Sequence, residues 1–211
     1  MKVPRQTKLL LVAGAAIWLI LVAGGLTFLF RYQTTPGESA SAPKVWPRDA
    51  LIPTRKDSPV LVMFVHPRCP CSRASIGELA AVMTHAEAPV QAWVCFLKPA
   101  GFSDGWEKTD LWANAQRIPG VKVLRDENGT EAQRFHVSTS GQTLFYGVNG
   151  GLLFNGGITG GRGHFGENPA RNTLAQLMAG NRKAFAQTAV YGCSLRDEGG
   201  NSDCLNVCSQ K

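Results

Sequence analysis

Two cysteines separated by one proline, Cys69-Pro70-Cys71, are the residues of this chain best suited to chemistry. They follow an apolar segment, Pro59–Val65, and precede a stretch with helical periodicity. Proline favours the first position of a helix, which places Cys69 at the N-cap and Cys71 at the second position. A thiolate on Cys69 then faces unpaired backbone N–H groups, which lower a cysteine pKa. We therefore expect Cys69 to be the nucleophile and Cys71 to be the resolving thiol of disulfide exchange.

Charged and apolar neighbours support this interpretation. Arg68 and Arg73 add positive charge beside the two thiols, and His66 can add more. The predicted helix has one apolar face that would pack on a sheet and hold the thiols in place, formed by Ile76, Leu79, Ala80 and Met83.

A disulfide between Cys69 and Cys71 would close a small ring, so its dihedral angle is hard to satisfy and the bond is readily reduced. A loop this short also stabilises a fold very little. A redox dithiol therefore explains the pair better than a structural disulfide. The alternative is a copper-handling or metal-delivery module in which Cys69 and Cys71 hold Cu(I), since soft thiolates suit that ion. The redox function requires no cofactor.

The N-terminus contains a predicted membrane anchor at residues 9–30, a run of 22 residues without a charge. Three basic residues lie in the preceding segment, residues 1–8, and the positive-inside rule therefore places that segment in the cytoplasm. A cleaved signal peptide is the alternative, with Ala23-Gly24-Gly25 as the small residues of a cleavage site. Six cysteines agree with an oxidising compartment outside the cytoplasm.

Beyond the anchor, residues 31–58 contain four prolines among small and charged residues, and we expect them to form an extended tether. A domain at 59–189 and a cysteine-containing tail at 190–211 follow. The formal charge of +7 is spread along the chain and suits a solvated surface or acidic lipid headgroups. No nucleic-acid-binding motif is present.

Within the domain, strand and helix patterns alternate and then give way to a hairpin and a last helix, which predicts an α/β fold with a mixed sheet covered on both faces. The expected strands are 59–65, 90–97, 121–124, 142–148 and 151–154, the last two joined at Asn149-Gly150. The expected helices are 71–85, one from Ser103 or Asp104 to 118, 131–135, and one from Asn168 or Thr173 to about 186.

The order of these elements and the position of the thiols resemble the thioredoxin fold, with its three layers and central mixed sheet. The segments 123–129 and 132–137 also look like those of membrane-tethered thioredoxin-like proteins of the periplasm and of peroxiredoxins. The chain departs from thioredoxins, which carry Cys-x-x-Cys after Trp, because one intervening residue is missing and Arg68 stands in the Trp place. The thioredoxin fold has a cis-proline that aligns a substrate chain. The resemblance places the equivalent position at Gly141 or Gln142.

A narrower resemblance covers nearly the whole chain. Segments 64–75, 140–142 and 156–164, together with Tyr191-Gly192-Cys193, resemble a bacterial family labelled RedB, thioredoxin-like proteins with one N-terminal anchor. This resemblance implies a bacterial inner-membrane protein whose domain lies in the periplasm. Its partners would be extracytoplasmic protein thiols or disulfides.

The resemblance also brings the glycine-rich loop 156–166 to the thiol face, so that Arg162 and His164 become candidate sources of charge or protons. Among the remaining cysteines, Cys95 lies on a predicted strand, where a core thiol is the better interpretation. Cys193, Cys204 and Cys208 form a separate cluster, in which we expect a structural disulfide between Cys193 and Cys204 or Cys208. Cys204 and Cys208 also have a spacing that suits metal binding or electron relay.

Overall fold

The computed structural model describes residues 4–38, 41–55, 57–84, 86, 89–181 and 185–195. The chain separates into two units, Met1–Thr35 and Pro36–Lys211. The first unit is a helix, α1 (Arg5–Thr34), with no buried residues. It is long and apolar enough to cross a membrane, and a signal sequence would meet the same description.

The second unit is built on a sheet of six strands, whose order is β3-β2-β1-β4-β5-β6. The strands are β1 (Val60–Val65), β2 (Gln91–Lys98), β3 (Val121–Glu127), β4 (Gln142–Tyr146), β5 (Leu152–Gly156) and β6 (Ala186–Gln187). The first three strands are parallel, β4 is antiparallel to β1 and to β5, and β6 is parallel to β5. The helices are α2 (Pro70–Thr84), α3 (Asp110–Gln116), α4 (Thr130–Arg134) and α5 (Pro169–Met178). This topology confirms the predicted thioredoxin-like fold.

The central strand β1 is buried along its whole length because its side chains alternate between two apolar cores. Met63 lies in a core that also receives Leu79 of α2 and Leu174 of α5. Phe64 lies in a core on the other face with Phe135, which follows α4. The apolar face predicted for the helix that follows the thiols, α2, therefore packs against the sheet as expected. This packing holds the start of α2 at the end of β1.

Two helices differ from the sequence expectation. Helix α3, predicted to begin at Ser103 or Asp104, begins at Asp110. The preceding residues 101–108 form turns in which Gly101 and Gly105 have positive φ. The last helix starts as predicted, with the Asn168 side chain accepting a hydrogen bond from the Arg171 N–H. It ends at Met178 because Gly180 has positive φ, as is typical after a helix end.

The expected tether is not free of the fold. Within residues 41–55, Ile52 is buried and the Trp46 ring packs against the rings of Phe135 and Tyr146 at 4.9 and 5.1 Å. The Lys44 carbonyl also accepts a hydrogen bond from Leu152 at the start of β5. The proline-rich composition is therefore not a sign of a detached segment here, because a few apolar side chains suffice to bind it along the sheet.

Candidate thiol site

The Cys69-Pro70-Cys71 segment lies at the junction of β1 and α2, as the sequence predicts. The helix begins at Pro70, and Cys69 immediately precedes it. The Cys69 N–H donates to the His66 carbonyl at 3.1 Å, and the Cys69 carbonyl accepts from the Ser72 N–H at 3.1 Å. These two bonds form a tight turn that holds the Cys69 side chain at the helix start.

A third thiol joins this pair. The Sγ atoms of Cys69 and Cys193 are 3.0 Å apart, although the two residues are separated by 124 positions in the chain. The Sγ atoms of Cys69, Cys71 and Cys193 all lie within 4.8 Å of one another. Cys69 and Cys71 are buried and Cys193 is partly exposed. We call these three residues the thiol cluster.

The cluster shifts the acidities of its members in opposite directions. Hydrogen bonds with the side chains of Cys193 and Cys71 lower the pKa of Cys69 far below its usual value, and this effect outweighs the opposing effect of burial. The pKa of Cys193 is raised by its hydrogen bonds with Cys69 and Cys71 and by burial. For Cys71, the hydrogen bond with Cys193 lowers the pKa, but the hydrogen bond with Cys69, burial and the charge of Cys69 together raise it. Cys69 is therefore the most acidic thiol of the cluster.

Cys193 is held by the loop that precedes β4. The Ser140 N–H donates to the Cys193 carbonyl at 2.8 Å, and the Leu195 N–H donates to the Ser138 carbonyl at 2.8 Å. A Cβ at Gly192 would overlap the Ser140 carbonyl oxygen, so only glycine permits this approach. We call residues 189–195 the C-terminal segment. Backbone pairing with the loop thus fixes the third thiol.

The same loop is bonded to the strand and helix that carry the first two thiols. The Ser140 Oγ accepts from the His66 N–H at 2.8 Å and lies 2.7 Å from the Ser72 Oγ. The Gly141 N–H donates to the Phe64 carbonyl at 2.7 Å, and Gly141 has a φ of 89°. A Cβ on Gly141 would be 2.6 Å from the Ser75 Oγ. Gly141, one of the two positions predicted to align with the cis-proline, is thus in close contact with α2, and no peptide bond in the described part of the chain is cis.

The glycine-rich loop after β5 contributes a cation. The Arg162 Nη1 donates to the Gly192 carbonyl at 2.6 Å, and the charge of Arg162 acts to lower the pKa of Cys71. The loop is bound to α2 through the buried carboxylate of Glu78, which accepts from the Gly166 N–H at 2.5 Å and from Arg171 at 3.1 Å. His164 is exposed on the same loop.

On another side of Cys69, basic residues border an open groove of about 360 Å³. Arg68 lies over the Trp106 ring at 5.1 Å, and Arg73 forms an ion pair of 2.5 Å with Asp110. The buried His66 ring packs edge-on against Trp106 with centroids 5.6 Å apart. The groove is lined by Pro67, Arg68, Cys69, Pro70, Arg73, Thr109, Asp110 and Leu111. Of the three cluster thiols, Cys69 is the one that lines it.

Other candidate residues lie elsewhere. The buried Gln142 donates through Nε2 to the Asn155 Oδ1 at 2.7 Å, within the hairpin. Cys95 is buried, as predicted for a core thiol, and burial raises its pKa. Cys204 and Cys208 lie outside the described residues, so a disulfide from Cys193 to either stays a prediction.

Sequence reasoning did not identify the contact between Cys193 and Cys69, or the role of Ser72 and Ser140 in holding it. The signal that could have found them was the Tyr191-Gly192-Cys193 triplet, since a glycine before a cysteine permits close backbone approach.

Comparisons with solved structures show the fold. A hypothetical protein from Sinorhizobium meliloti 1021 is 18% identical, with a TM-score of 0.54, over 79% of this chain and 96% of the other. An uncharacterized conserved protein from Geobacillus kaustophilus is 15% identical, with a TM-score of 0.53, over 79% and 94%. A secreted disulfide oxidoreductase of Mycobacterium tuberculosis, homologous to DsbE of E. coli, is 19% identical, with a TM-score of 0.40, over 59% and 82%. No protein-family model and no curated protein sequence matches the chain.

Proposed function

We propose that this protein is a membrane-tethered extracytoplasmic thiol–disulfide oxidoreductase in which Cys69 is the attacking thiol. The observation that carries the proposal is the position of Cys69 at the start of α2, with its pKa lowered and two further thiols within 4.8 Å. A thiolate is the attacking species in disulfide exchange, and a neighbouring thiol is needed to release the substrate. The groove beside Cys69 provides access for a polypeptide substrate.

The sequence features support a RedB-like protein of the bacterial inner membrane. The apolar helix α1 would be its anchor, with the basic N-terminus in the cytoplasm and the domain in the periplasm. Extracytoplasmic protein thiols and disulfides would then be its substrates. Arg162, Arg68 and Arg73 would support the thiolate by their charge, and His66 and Ser140 would position the helix start.

Trapping of substrates tests this function. The full chain with Cys71, Cys193, Cys204 and Cys208 all changed to serine keeps Cys69 but lacks every thiol near it in space or in the tail. We expect this variant to accumulate mixed disulfides with membrane-fraction proteins, visible as high-mass species that a reductant removes. The matched control adds Cys69→Ser and must show none. Failure to trap any protein under mild oxidation would contradict the proposal.

The thiol cluster also favours the second candidate function, a Cu(I)-binding or metal-delivery module. Three sulfurs within 4.8 Å of one another provide a soft donor set of the kind that Cu(I) prefers. Cys193 supplies the third ligand, which strengthens this candidate beyond the two thiols of the Cys-Pro-Cys pair.

Competition with a chromogenic Cu(I) chelator tests the second candidate. The reduced full chain is expected to remove about one Cu(I) per chain from the chelator, and the Cys193→Ser variant should bind at least about tenfold more weakly, since one of three soft ligands is lost. The buried Cys95→Ser variant is the control and should match the unmodified chain. If the unmodified chain cannot compete with a weak chelator, the metal function is excluded.

A further inference from the structure

The contacts of the C-terminal segment lie on both sides of Cys193, and they therefore fix the position of its thiol as well as that of the backbone. Both neighbours of Cys193 are held, because Arg162 binds the Gly192 carbonyl at 2.6 Å and Ser194 forms a bridge with Thr139. The bridge is antiparallel and belongs to no larger sheet. Three residues before Cys193, the Val190 carbonyl accepts a hydrogen bond from the Gly37 N–H at 2.8 Å. The resulting contact of 3.0 Å between Cys193 and Cys69 is therefore supported from both sides.

Forming a disulfide of about 2.05 Å from this contact requires the two sulfurs to approach by only about 1 Å. The two cysteines lie on separate segments, so a small rotation of their side chains can bring the sulfurs together without changing α2. A bond between Cys69 and Cys71 lacks that freedom. It must close a small ring across Pro70, whose φ is fixed, in the first turn of the helix.

Access to the cluster also separates the roles of the thiols. Cys69 is buried but lines the open groove, whereas Cys193 is partly exposed, does not line that groove and is held against the loop at residues 138–141. A substrate that enters through the groove therefore meets Cys69 first, and the Cys193 sulfur already lies 3.0 Å from the Cys69 sulfur.

On the basis of the proposed function, we propose that Cys193, rather than Cys71, resolves the mixed disulfide and forms the disulfide with Cys69. The Cys69 thiolate attacks one sulfur of a protein disulfide, forms a mixed disulfide, and releases the other substrate sulfur, which takes up a proton. Cys193 then loses its proton, and its sulfur attacks the Cys69 sulfur. The Cys69–Cys193 bond forms while the remaining substrate sulfur leaves as a thiol. The substrate gains two electrons and the protein dithiol loses two, and the same steps in reverse describe an oxidant.

The test uses the purified full chain in detergent, reduced and then mixed with glutathione disulfide as the model substrate. Free thiols are blocked with iodoacetamide, and tryptic peptides are analysed by mass spectrometry. Trypsin separates a peptide of residues 69–73 from one of residues 184–196 that contains Cys193. We expect Cys71→Ser to yield these two peptides joined by a disulfide. We expect Cys193→Ser, and equally Cys193→Ala, to accumulate glutathione on Cys69 at least tenfold above the unmodified chain.

The control is Cys95→Ser, which should behave as the unmodified chain because Cys95 lies in the core. The inference is overturned if Cys71→Ser accumulates glutathione while Cys193→Ser releases it, a result that leaves the oxidoreductase function standing. A Cys193 disulfide found only with Cys204 or Cys208 overturns it as well. If Cys69 takes up no glutathione in any variant, the proposed function fails together with the inference.

Discussion

At the scale of single residues, the acidity of Cys69 depends on its neighbours more than on its exposure. Burial alone raises the pKa of a thiol, as it does for Cys95. Cys69 is also buried, yet its pKa is lowered because Cys193 and Cys71 form hydrogen bonds with its sulfur. Two cysteines of the same domain thus differ in acidity, because hydrogen bonds lower the pKa of Cys69 whereas burial and the charges of Asp126 and Glu131 raise the pKa of Cys95.

This difference predicts a distinctive pH profile for alkylation. An ordinary thiol with a pKa of about 8.5 loses roughly tenfold in thiolate fraction for each pH unit below that value. We expect the rate of Cys69 modification by iodoacetamide to stay nearly constant between about pH 5.5 and 7, since its pKa is lowered.

The matched variant is Cys193→Ala, which removes the largest cause of the lowered pKa. Its Cys69 should react more slowly as the pH falls through the same range. An identical profile in the variant and the unmodified chain would show that Cys193 does not stabilise the thiolate.

At the scale of elements, three segments that are distant in the chain meet at the thiol cluster. They are the start of α2, the loop at residues 138–141 and the C-terminal segment. Ser140 bonds to the first through Ser72 and to the third through Cys193. Because each contact is short and directional, a small displacement of one segment changes the separation of the sulfurs.

Gly192→Ala tests this arrangement. The added Cβ would overlap the Ser140 carbonyl, so the C-terminal segment must move away from the loop. We expect a loss of about 1–3 kcal/mol in the free energy of unfolding, as is usual for overpacking, measured by denaturant titration. We also expect a slower formation of the Cys69–Cys193 disulfide.

Gly160→Ala is the control, because its Cβ would meet only the Asn168 Cβ at 3.5 Å, an ordinary contact. Equal effects of the two substitutions would mean that the approach of Gly192 to Ser140 has no special role.

At the scale of the whole molecule, the beginning of the sheet-containing unit lies against the C-terminal segment, the last described part of that unit. Gly37, near its beginning, donates to Val190, and the Glu38 carbonyl accepts from Thr139 at 2.7 Å. The loop and the C-terminal segment that hold the thiol cluster therefore also bind residues 37 and 38, which precede the sheet. A covalent bond there would tie the C-terminal segment to α2.

We accordingly expect the oxidation state to change global stability. A disulfide that closes a loop of 124 residues restricts the unfolded chain and contributes up to about 4–5 kcal/mol by the loop-entropy estimate. For a chain of this size each kcal/mol raises Tm by about 2–4 °C, so the oxidised protein should melt at least about 5 °C above the reduced one.

Differential scanning calorimetry measures this change, with Cys71→Ser expected to keep the increase and Cys193→Ser to lose it. An increase that persists in Cys193→Ser would assign the stabilising bond to another pair.

The elements around the Cys-Pro-Cys segment could be predicted because local patterns decide them. Pro70 starts α2, Asn168 caps α5, and the Asn149-Gly150 turn joins β4 to β5. The packing of Trp46 and the contact of Cys193 could not be predicted in this way. Both depend on backbone pairing between distant segments, which leaves no periodicity in the local sequence.

The position of Cys193 in the chain also governs when Cys69 becomes acidic. A ribosome adds residues from the N-terminus onward, so Cys69 is made 124 residues before the group that most lowers its pKa. A growing chain that has not yet reached Cys193 carries a Cys69 without that hydrogen bond and correspondingly closer to an ordinary thiol. The order of synthesis thereby delays the full acidity of Cys69 until Cys193 has been added and has reached its place beside it.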